Sequence, residues 1–137
     1  MRRKGTYVIL ITLDAGTEIR VGALGTFFFE KGTYCYVGSA LGGLDARVRR
    51  HLRKDKILKW HADYLTSASS SMEAYISCPD YILECDLAHI AEESGMEPNV
   101  KGFGCSDCNC YTHLFKLKEG SLDSFLKRTK MVPFTDD

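Results

Sequence analysis

The sequence predicts a small α+β domain, in which antiparallel strands form a sheet and helices lie between them along the chain. Two observations support this fold class. Short runs rich in β-branched residues fill the N-terminal third, whereas helical patterns separate the later strand candidates. A chain of 137 residues with 45% hydrophobic residues can bury one core, and no repeat or linker divides it. We therefore predict a single domain over residues 1–137, with flexible ends at 1–4 and 131–137.

Four strands are predicted in the N-terminal third. The run 6–13 is dense in β-branched residues, which is typical of a buried strand. Two short strands at 18–21 and 26–29 flank glycines and predict a hairpin. A further strand at 33–37 lies between two glycines, and a glycine pair then leads into a helix.

The rest of the chain is predicted to contain helices, two further strands and an irregular loop. A proline and an aspartate open the third helix, and a glycine follows its end. The predicted bounds are helices at 44–54, 60–65, 79–93 and 121–130, strands at 73–77 and 113–117, and a cysteine-rich loop at 103–112.

Positive charge is concentrated in one stretch, although the formal net charge is zero. Residues 47–59 contain seven Lys or Arg and one acid, which gives this stretch +6 and the rest of the chain −6. Residues 80–99 contain six acids and no Lys or Arg. A neutral protein with a local basic surface can hold a phosphate backbone through salt-sensitive contacts, so a nucleic acid is a candidate partner.

The residues of the predicted helix 44–54 divide between two faces. One arc of about 100° holds the face that would be buried: Leu44, Val48, His51 and Leu52. Arg47 lies at the edge of that arc, where it could bind a phosphate or form a structural salt bridge. Four cations would face outward, towards a nucleic-acid backbone or simply towards solvent: Arg49, Arg50, Arg53 and Lys54. His51 is either a core histidine or a functional one.

Two tyrosines and one glutamate add groups that suit phosphodiester hydrolysis. This reaction needs activated water and stabilisation of charge on the phosphoryl oxygens. Tyr7 or Tyr36 could act as the base if its pKa of about 10 is lowered, and Arg47 or a metal ion could lower it. Glu84 could hold Mg²⁺, which prefers carboxylate oxygens and keeps most of its waters. The structural alternatives are core aromatics for the tyrosines and a dipole-favoured acid near a helix N-terminus for Glu84.

Taken in order, these motifs resemble those of the GIY-YIG nuclease superfamily. Gly5-Thr6-Tyr7 is similar to its first motif and Tyr36-Val37-Gly38 to its second, with a longer separation than usual. The helix after the second motif and the later Glu84 are similar to its remaining elements. Segments around Trp60 and Phe103 resemble a compact stand-alone branch, whose members are sometimes joined to DNA-repair glycosylases.

The resemblance implies a small mixed or antiparallel sheet flanked by helices, and an endonuclease that cuts DNA with Mg²⁺ or Mn²⁺. Tyr36 would be the favoured base and Tyr7 its partner. Arg47 would clamp the phosphate, His51 would be an acid or an orienting group, and Glu84 would hold the metal. A structure- or lesion-directed role in DNA repair would follow, on branched, damaged or single-stranded DNA and with a DNA-repair protein as a possible partner.

Four more residues are suggested only by the resemblance as additions to the active site: His61, Asp63, Asp107 and His113. One departure from the superfamily supports a different function. Some members carry a lysine just after the second motif, where this chain has Ser39, so a cation that could activate a tyrosine is missing. The alternative is therefore a nucleic-acid-binding module of the same fold without catalysis.

The loop at 103–112 has the composition of a metal site. Four potential ligands lie within nine residues: Cys105, Cys108, Cys110 and His113. They could hold Zn²⁺, although structural zinc sites usually combine ligands from two segments that are distant in sequence. The cysteines could instead form a redox dithiol, or the loop could be structural or contact the substrate.

The expected compartment is the cytoplasm. No signal peptide is predicted, because the first apolar run is short and stops at Asp14, and no segment approaches transmembrane length. We therefore expect no membrane partner. In a reducing compartment the six cysteines would be thiols or metal ligands, not a disulfide framework.

Overall fold

The computed structural model describes residues 3–77, 81–105 and 108–135. Within them the chain forms α-helices, a six-stranded sheet and a separate two-stranded sheet, which confirms the predicted α+β class. The strands are β1 (Gly5–Leu13), β2 (Thr17–Val21), β3 (Gly25–Phe29), β4 (Gly32–Ala40), β5 (Ser71–Ser77), β6 (Glu97–Pro98), β7 (Leu114–Lys116) and β8 (Val132–Pro133). The helices are α1 (Leu44–Leu52), α2 (His61–Ser67), α3 (Glu84–Glu93) and α4 (Ser121–Thr129).

The large sheet is antiparallel, with the strand order β6-β7-β4-β1-β5-β8. β1 is central, and its side chains are buried on both faces of the sheet. Tyr7, Ile9 and Ile11 point into one core with α1, α2 and the β2–β3 hairpin. Val8 and Leu10 point into the other core with α3 and α4. This alternation explains why β1 is a nearly continuous run of apolar residues.

The pairing of β1 with β4 places the two predicted motifs side by side. Tyr7 lies directly opposite Gly38, and Ile9 lies opposite Tyr36. Because alternate residues of a strand share a face, Tyr7 and Tyr36 are diagonal neighbours on the same face of the sheet. β4 is longer than predicted, since its pairing with β1 continues through Gly38 to Ala40.

Several predicted bounds differ from the observed ones. α3 begins at Glu84 with Leu83 as its N-cap, whereas the prediction began at Pro79, outside the described residues. Glu84 is therefore the first residue of the helix, and its carboxylate is free to reach towards β4. α1 ends at Leu52 instead of 54, because Arg53 is extended. The two-residue strands β6 and β8 were not predicted.

The C-terminal segment predicted to be flexible is held against the sheet as far as residue 134. Met131 is buried, Val132–Pro133 pair with β5, and the backbone N–H of Phe134 donates to the carbonyl of Ala74. Among the helices in the described ranges, none is long and apolar enough to cross a membrane.

Candidate active site

An open cleft of about 620 Å³ lies beside β4, between α1, α2 and the start of α3. Five of the residues predicted from sequence contribute to its wall: Tyr7, Tyr36, Arg47, His61 and Glu84. The other residues around it are Gly38, Ser39, Leu41, Gly42, Lys59, Trp60 and Gly104. The fold therefore brings side chains that are far apart in the sequence together in one cavity.

The glycine of the second motif makes room for the tyrosine of the first. A Cβ atom built on Gly38 would lie 2.5 Å from Cζ and from the hydroxyl oxygen of Tyr7. No real Cβ contact is that short, so the aromatic ring of Tyr7 occupies the space that any side chain at position 38 would need. Tyr7 and Gly38 lie opposite each other across the sheet. The tyrosine of the first motif therefore requires a glycine in the second for steric reasons.

We expect Gly38→Ala to displace the Tyr7 hydroxyl and reduce any activity of the cleft at least about tenfold, since small misplacements of reacting groups are costly. Overpacking should also lower the free energy of unfolding by about 1–3 kcal/mol. Cleavage rates measured alongside a denaturant titration check this prediction. A variant that keeps wild-type activity would show that the position of the Tyr7 ring is unimportant.

The Tyr7 hydroxyl is held by two neighbours. Its oxygen lies 2.9 Å from Nε2 of His51, and the guanidinium of Arg47 forms a second hydrogen bond to it. Burial raises the pKa of Tyr7 well above its ordinary value, and Arg47 only partly opposes this effect. Burial, followed by the proximity of Tyr7, likewise raises the pKa of Tyr36. Both phenols are therefore protonated at neutral pH, which differs from the lowered pKa considered from the sequence.

His51 is fully buried behind Tyr7 and does not reach the cleft. Burial, and then the nearby charge of Lys56, lowers its pKa to about 3, so the imidazole is neutral at pH 7. Because His51 does not line the cleft, its position fits the orienting role and not the acid role considered for it. Its Nδ1 has no hydrogen-bond partner among the described residues. Because a buried N–H without an acceptor is rare, we assign the proton to Nε2, which then donates to Tyr7.

Glu84 is fixed in the cleft by two contacts. Its Oε1 accepts a hydrogen bond of 2.6 Å from the hydroxyl of Ser39, and its Oε2 lies 2.7 Å from Nδ1 of His113. Burial alone would raise the pKa of Glu84, but the contacts with His113 and Ser39 outweigh it and lower the pKa below its usual value. The carboxylate is therefore ionised at neutral pH. Its side chain keeps 30% of its surface exposed, so it can still be reached from the cleft.

A wall of cations surrounds Trp60 at one side of the cleft. Arg47, Arg50 and Lys59 all lie over its indole ring, at 5.0, 4.5 and 5.3 Å from the ring centre. Arg47 also donates to the carbonyl of Ser39, so its guanidinium is held between α1 and β4. This arrangement supplies positive charge and an aromatic face to the same cavity.

Arg50 and Asp63 do not line the cleft but pair with each other beside it. Arg50 donates from both terminal nitrogens to the two oxygens of Asp63 at 2.9 Å, so the prediction that it faces away into solvent is wrong. Asp63 is fully buried and also accepts from the backbone N–H groups of Lys59 and Trp60. It does not line the cleft. Instead it anchors the segment that carries Lys59 and Trp60 into the wall.

The remaining predicted cations lie outside the cleft. Arg49 and Arg53 border a separate shallow groove along α1, and Arg49 lies 5.8 Å from the ring centre of Phe134. Lys54 is exposed beyond the end of α1. Any contact of these residues with a nucleic acid would therefore be made away from the catalytic candidates.

His61 is held by the cysteine-rich loop. The backbone N–H of Gly104 donates to Nδ1 of His61 at 2.8 Å, so a neutral ring carries its proton on Nε2. Burial lowers the pKa of His61, which favours this neutral form. A Cβ on Gly104 would lie 2.9 Å from the ring of Tyr36, so this glycine packs directly on the second tyrosine.

The zinc ligands predicted from sequence are partly brought together. Ligand atoms of four residues lie within 4.8 Å of one another: Cys85, Cys108, Cys110 and His113. Cys85 at the start of α3 thus takes the place predicted for Cys105, whose thiol donates instead to the carbonyl of Phe103. Asp107 lies outside the described residues. His113 reaches the site only through its contact with Glu84.

Sequence reasoning gave no role in the site to four residues of this region: Ser39, Lys59, Trp60 and Cys85. Lys59 belongs to the basic stretch, and its position next to the only tryptophan was an available signal. Cys85 directly follows Glu84, but nothing in the spacing connects it with the later cysteines. Lys59 lines the cleft and supplies a second cation beside Arg47.

Comparisons with known proteins identify the family. No curated protein and no solved structure matches the chain significantly. A family match covers residues 6–132, which includes every residue of the cleft and of the cysteine cluster. The chain belongs to the family described as Domain of unknown function DUF123.

Proposed function

We propose that the protein is a metal-dependent endonuclease that hydrolyses DNA phosphodiester bonds in the cleft. One observation carries the proposal: a held arginine, two phenols and a carboxylate kept in its ionised form line the same cavity. Phosphodiester hydrolysis needs a positively charged clamp, a group to orient or deprotonate water, and a site for a hard cation. The cleft supplies a candidate for each.

Arg47 is the candidate clamp for the scissile phosphate. Its contacts with Ser39, Tyr7 and Trp60 fix the guanidinium before substrate arrives, so little side-chain freedom is lost on binding. Lys59 adds a second positive charge on the same wall. Two cations on one side of the cleft would neutralise the phosphate backbone and position it against the tyrosines.

Glu84 is the candidate ligand for Mg²⁺ or Mn²⁺. It is the only acid among the described residues that line the cleft, which fits an ion that is held by one carboxylate and retains most of its waters. Ser39 donates to Oε1 and His113 lies beside Oε2, and a carboxylate has about four lone-pair positions, so positions for a cation remain. When bound, the ion would neutralise charge that develops on the phosphoryl oxygens.

The geometry favours Tyr7 over Tyr36 as the group that deprotonates water. Arg47 and His51 both direct donors at the Tyr7 oxygen, and donors stabilise a phenolate. Tyr36 has no such contact within the described residues, so we assign it the role of orienting the water. His61, with its proton on Nε2, is placed to donate to the leaving oxygen or to a phosphoryl oxygen.

This assignment predicts a cleavage rate that increases with pH. The active form of Tyr7 is the phenolate, and burial raises the pKa of Tyr7, so the active fraction grows as pH rises. We expect the rate to increase at least up to the ordinary tyrosine pKa of about 10. Tyr7→Phe should remove both the pH dependence and most of the activity, whereas Tyr36→Phe should lower the rate and keep the pH dependence. A rate that levels off below about pH 8 in the wild type would indicate another base.

One observation favours a second function, a nucleic-acid-binding module without catalysis. Both tyrosines have raised pKa values in this structure, and an enzyme that needs a phenolate must overcome them. The cation-rich wall around Trp60 would serve binding equally well. A DNA panel that includes branched, flapped, nicked and abasic substrates, with Mg²⁺ or Mn²⁺, distinguishes the two. Salt-sensitive binding without any cutting would favour the module.

A further inference from the structure

A second cluster of reactive side chains lies behind Glu84, outside the cleft. It consists of the thiols of Cys85, Cys108 and Cys110 and the imidazole of His113, whose ligand atoms lie within 4.8 Å of one another. We propose that these four residues form a structural zinc site. The proposal does not depend on nuclease activity, since none of the four residues lines the cleft.

The distances suit a tetrahedral ion. With Zn–S of about 2.3 Å and Zn–N of about 2.0 Å, neighbouring ligand atoms of a tetrahedral site lie about 3.5–3.8 Å apart. Nε2 of His113 and Sγ of Cys108 are already 3.5 Å apart. The widest pair in the cluster needs to approach by only about 1 Å, which side-chain rotation alone can provide. Three thiols and one imidazole are also the donor set that zinc prefers.

The ligands come from two separate segments, as in most structural zinc sites. Cys85 is the second residue of α3, whereas Cys108, Cys110 and His113 belong to the loop before β7. Bridging them would tie the start of α3 to this otherwise irregular loop. Four protein ligands leave no open position for substrate, so the site is structural and not catalytic.

An independent contact supports the assignment of His113. Metal-binding histidines usually donate their second ring N–H to a carboxylate. Nε2 of His113 faces the thiols, while its Nδ1 lies 2.7 Å from Oε2 of Glu84. His113 is buried, so both of its ring nitrogens need partners. Zinc at Nε2 and the Glu84 carboxylate at Nδ1 would supply them. Glu84 therefore joins the two sites: it faces the cleft and also supports a ligand of the zinc.

Cys105 provides the matched control. It lies in the same loop and is also partly buried, but its thiol donates to the carbonyl of Phe103 and is not among the four ligands. A zinc site formed only by the loop would need Cys105, whereas the site proposed here needs Cys85.

Metal analysis of the full chain, purified without chelators or histidine tags, tests the proposal. We expect about one zinc per chain in the wild type and in Cys105→Ser, and a loss of most of the zinc in Cys85→Ser and Cys110→Ser. Three results would overturn the proposal. The wild type could contain stoichiometric iron, or it could lack zinc even after reconstitution, or Cys105→Ser could lose zinc while Cys85→Ser keeps it.

Wild-type protein alone supplies a second test, in case the cysteine variants do not fold. After removal of zinc by a chelator under reducing conditions, one equivalent of Co²⁺ should produce thiolate-to-cobalt charge-transfer bands and the visible bands of a tetrahedral ion. Added zinc should abolish both. Octahedral cobalt spectra, or a disulfide among the three cysteines in the freshly purified protein, would contradict the site.

Glu84→Ala should weaken zinc binding about 10–100-fold through His113, and unchanged affinity would separate Glu84 from the site.

Discussion

Glu84→Gln is expected to lower metal-dependent cleavage by on the order of 10²–10³-fold, because it removes the negative charge that would hold the cation while preserving the shape of the side chain. The amide oxygen can still accept a hydrogen bond, so the contact with Ser39 or His113 is retained in part. Single-turnover cleavage at saturating Mg²⁺ measures the effect. Zinc content and melting temperature, determined on the same preparation, separate a catalytic loss from a structural one.

Glu93→Gln is the matched control. Glu93 is an exposed acid at the end of the same helix and lies outside the cleft, so its neutralisation should change the cleavage rate by less than about twofold. Equal losses in the two variants would mean that the net charge of α3 matters and not the position of Glu84. A Glu84→Gln variant with wild-type activity would remove Glu84 from the mechanism.

Asp63→Asn is expected to lower the free energy of unfolding by about 3 kcal/mol, the low end of the range for breaking a buried ion pair. Asp63 is fully buried, and its two oxygens accept hydrogen bonds from Arg50 and from two backbone N–H groups. In Asp63→Asn an NH₂ group would replace one of these oxygens and would face N–H groups that need an acceptor. The low end applies because the side chain of Arg50 keeps 22% exposure and can be partly hydrated. Urea unfolding measures the change.

The loss of stability in Asp63→Asn should depend on pH. Burial would raise the pKa of Asp63, but the hydrogen bonds from Arg50, Trp60 and Lys59 outweigh it and lower the pKa. A lowered folded-state pKa contributes stability above the unfolded value of about 3.9 and loses it as pH falls through the folded value. The difference between wild type and Asp63→Asn should therefore be constant near neutral pH and shrink below about pH 4. Exposed Asp55, changed to Asn, should alter stability by less than about 0.5 kcal/mol.

The elements that were predicted well are those whose signal is local. β1 is a continuous apolar run because both of its faces are buried, and that run is visible in the sequence. The hairpin of β2 and β3 was predicted from two short strands that flank glycines, and the two strands do pair. The arc of Leu44, Val48 and His51 on α1 is buried as its 3.6-residue period indicates.

The elements that were not predicted depend on contacts between distant segments. Arg50 points outward on a helical wheel, but α2 folds back over that face and brings Asp63 to it. Cys85 looks unremarkable in its helix until the loop before β7 is packed beside it. The burial of His51 was predicted, but its neutral state depends on the depth of that burial and on nearby Lys56. A helical wheel shows which face a residue occupies and not which segment covers that face.

A single comparison decides whether the cleft cuts a phosphodiester. Wild type and Glu84→Gln are incubated with the panel of branched, flapped, nicked and abasic DNAs in Mg²⁺ or Mn²⁺, each preparation carrying its full zinc complement. We predict metal-dependent cutting of at least one substrate by the wild type and a loss of on the order of 10²-fold or more in the variant. Binding without cutting by the wild type, or equal cutting by both proteins, would contradict it.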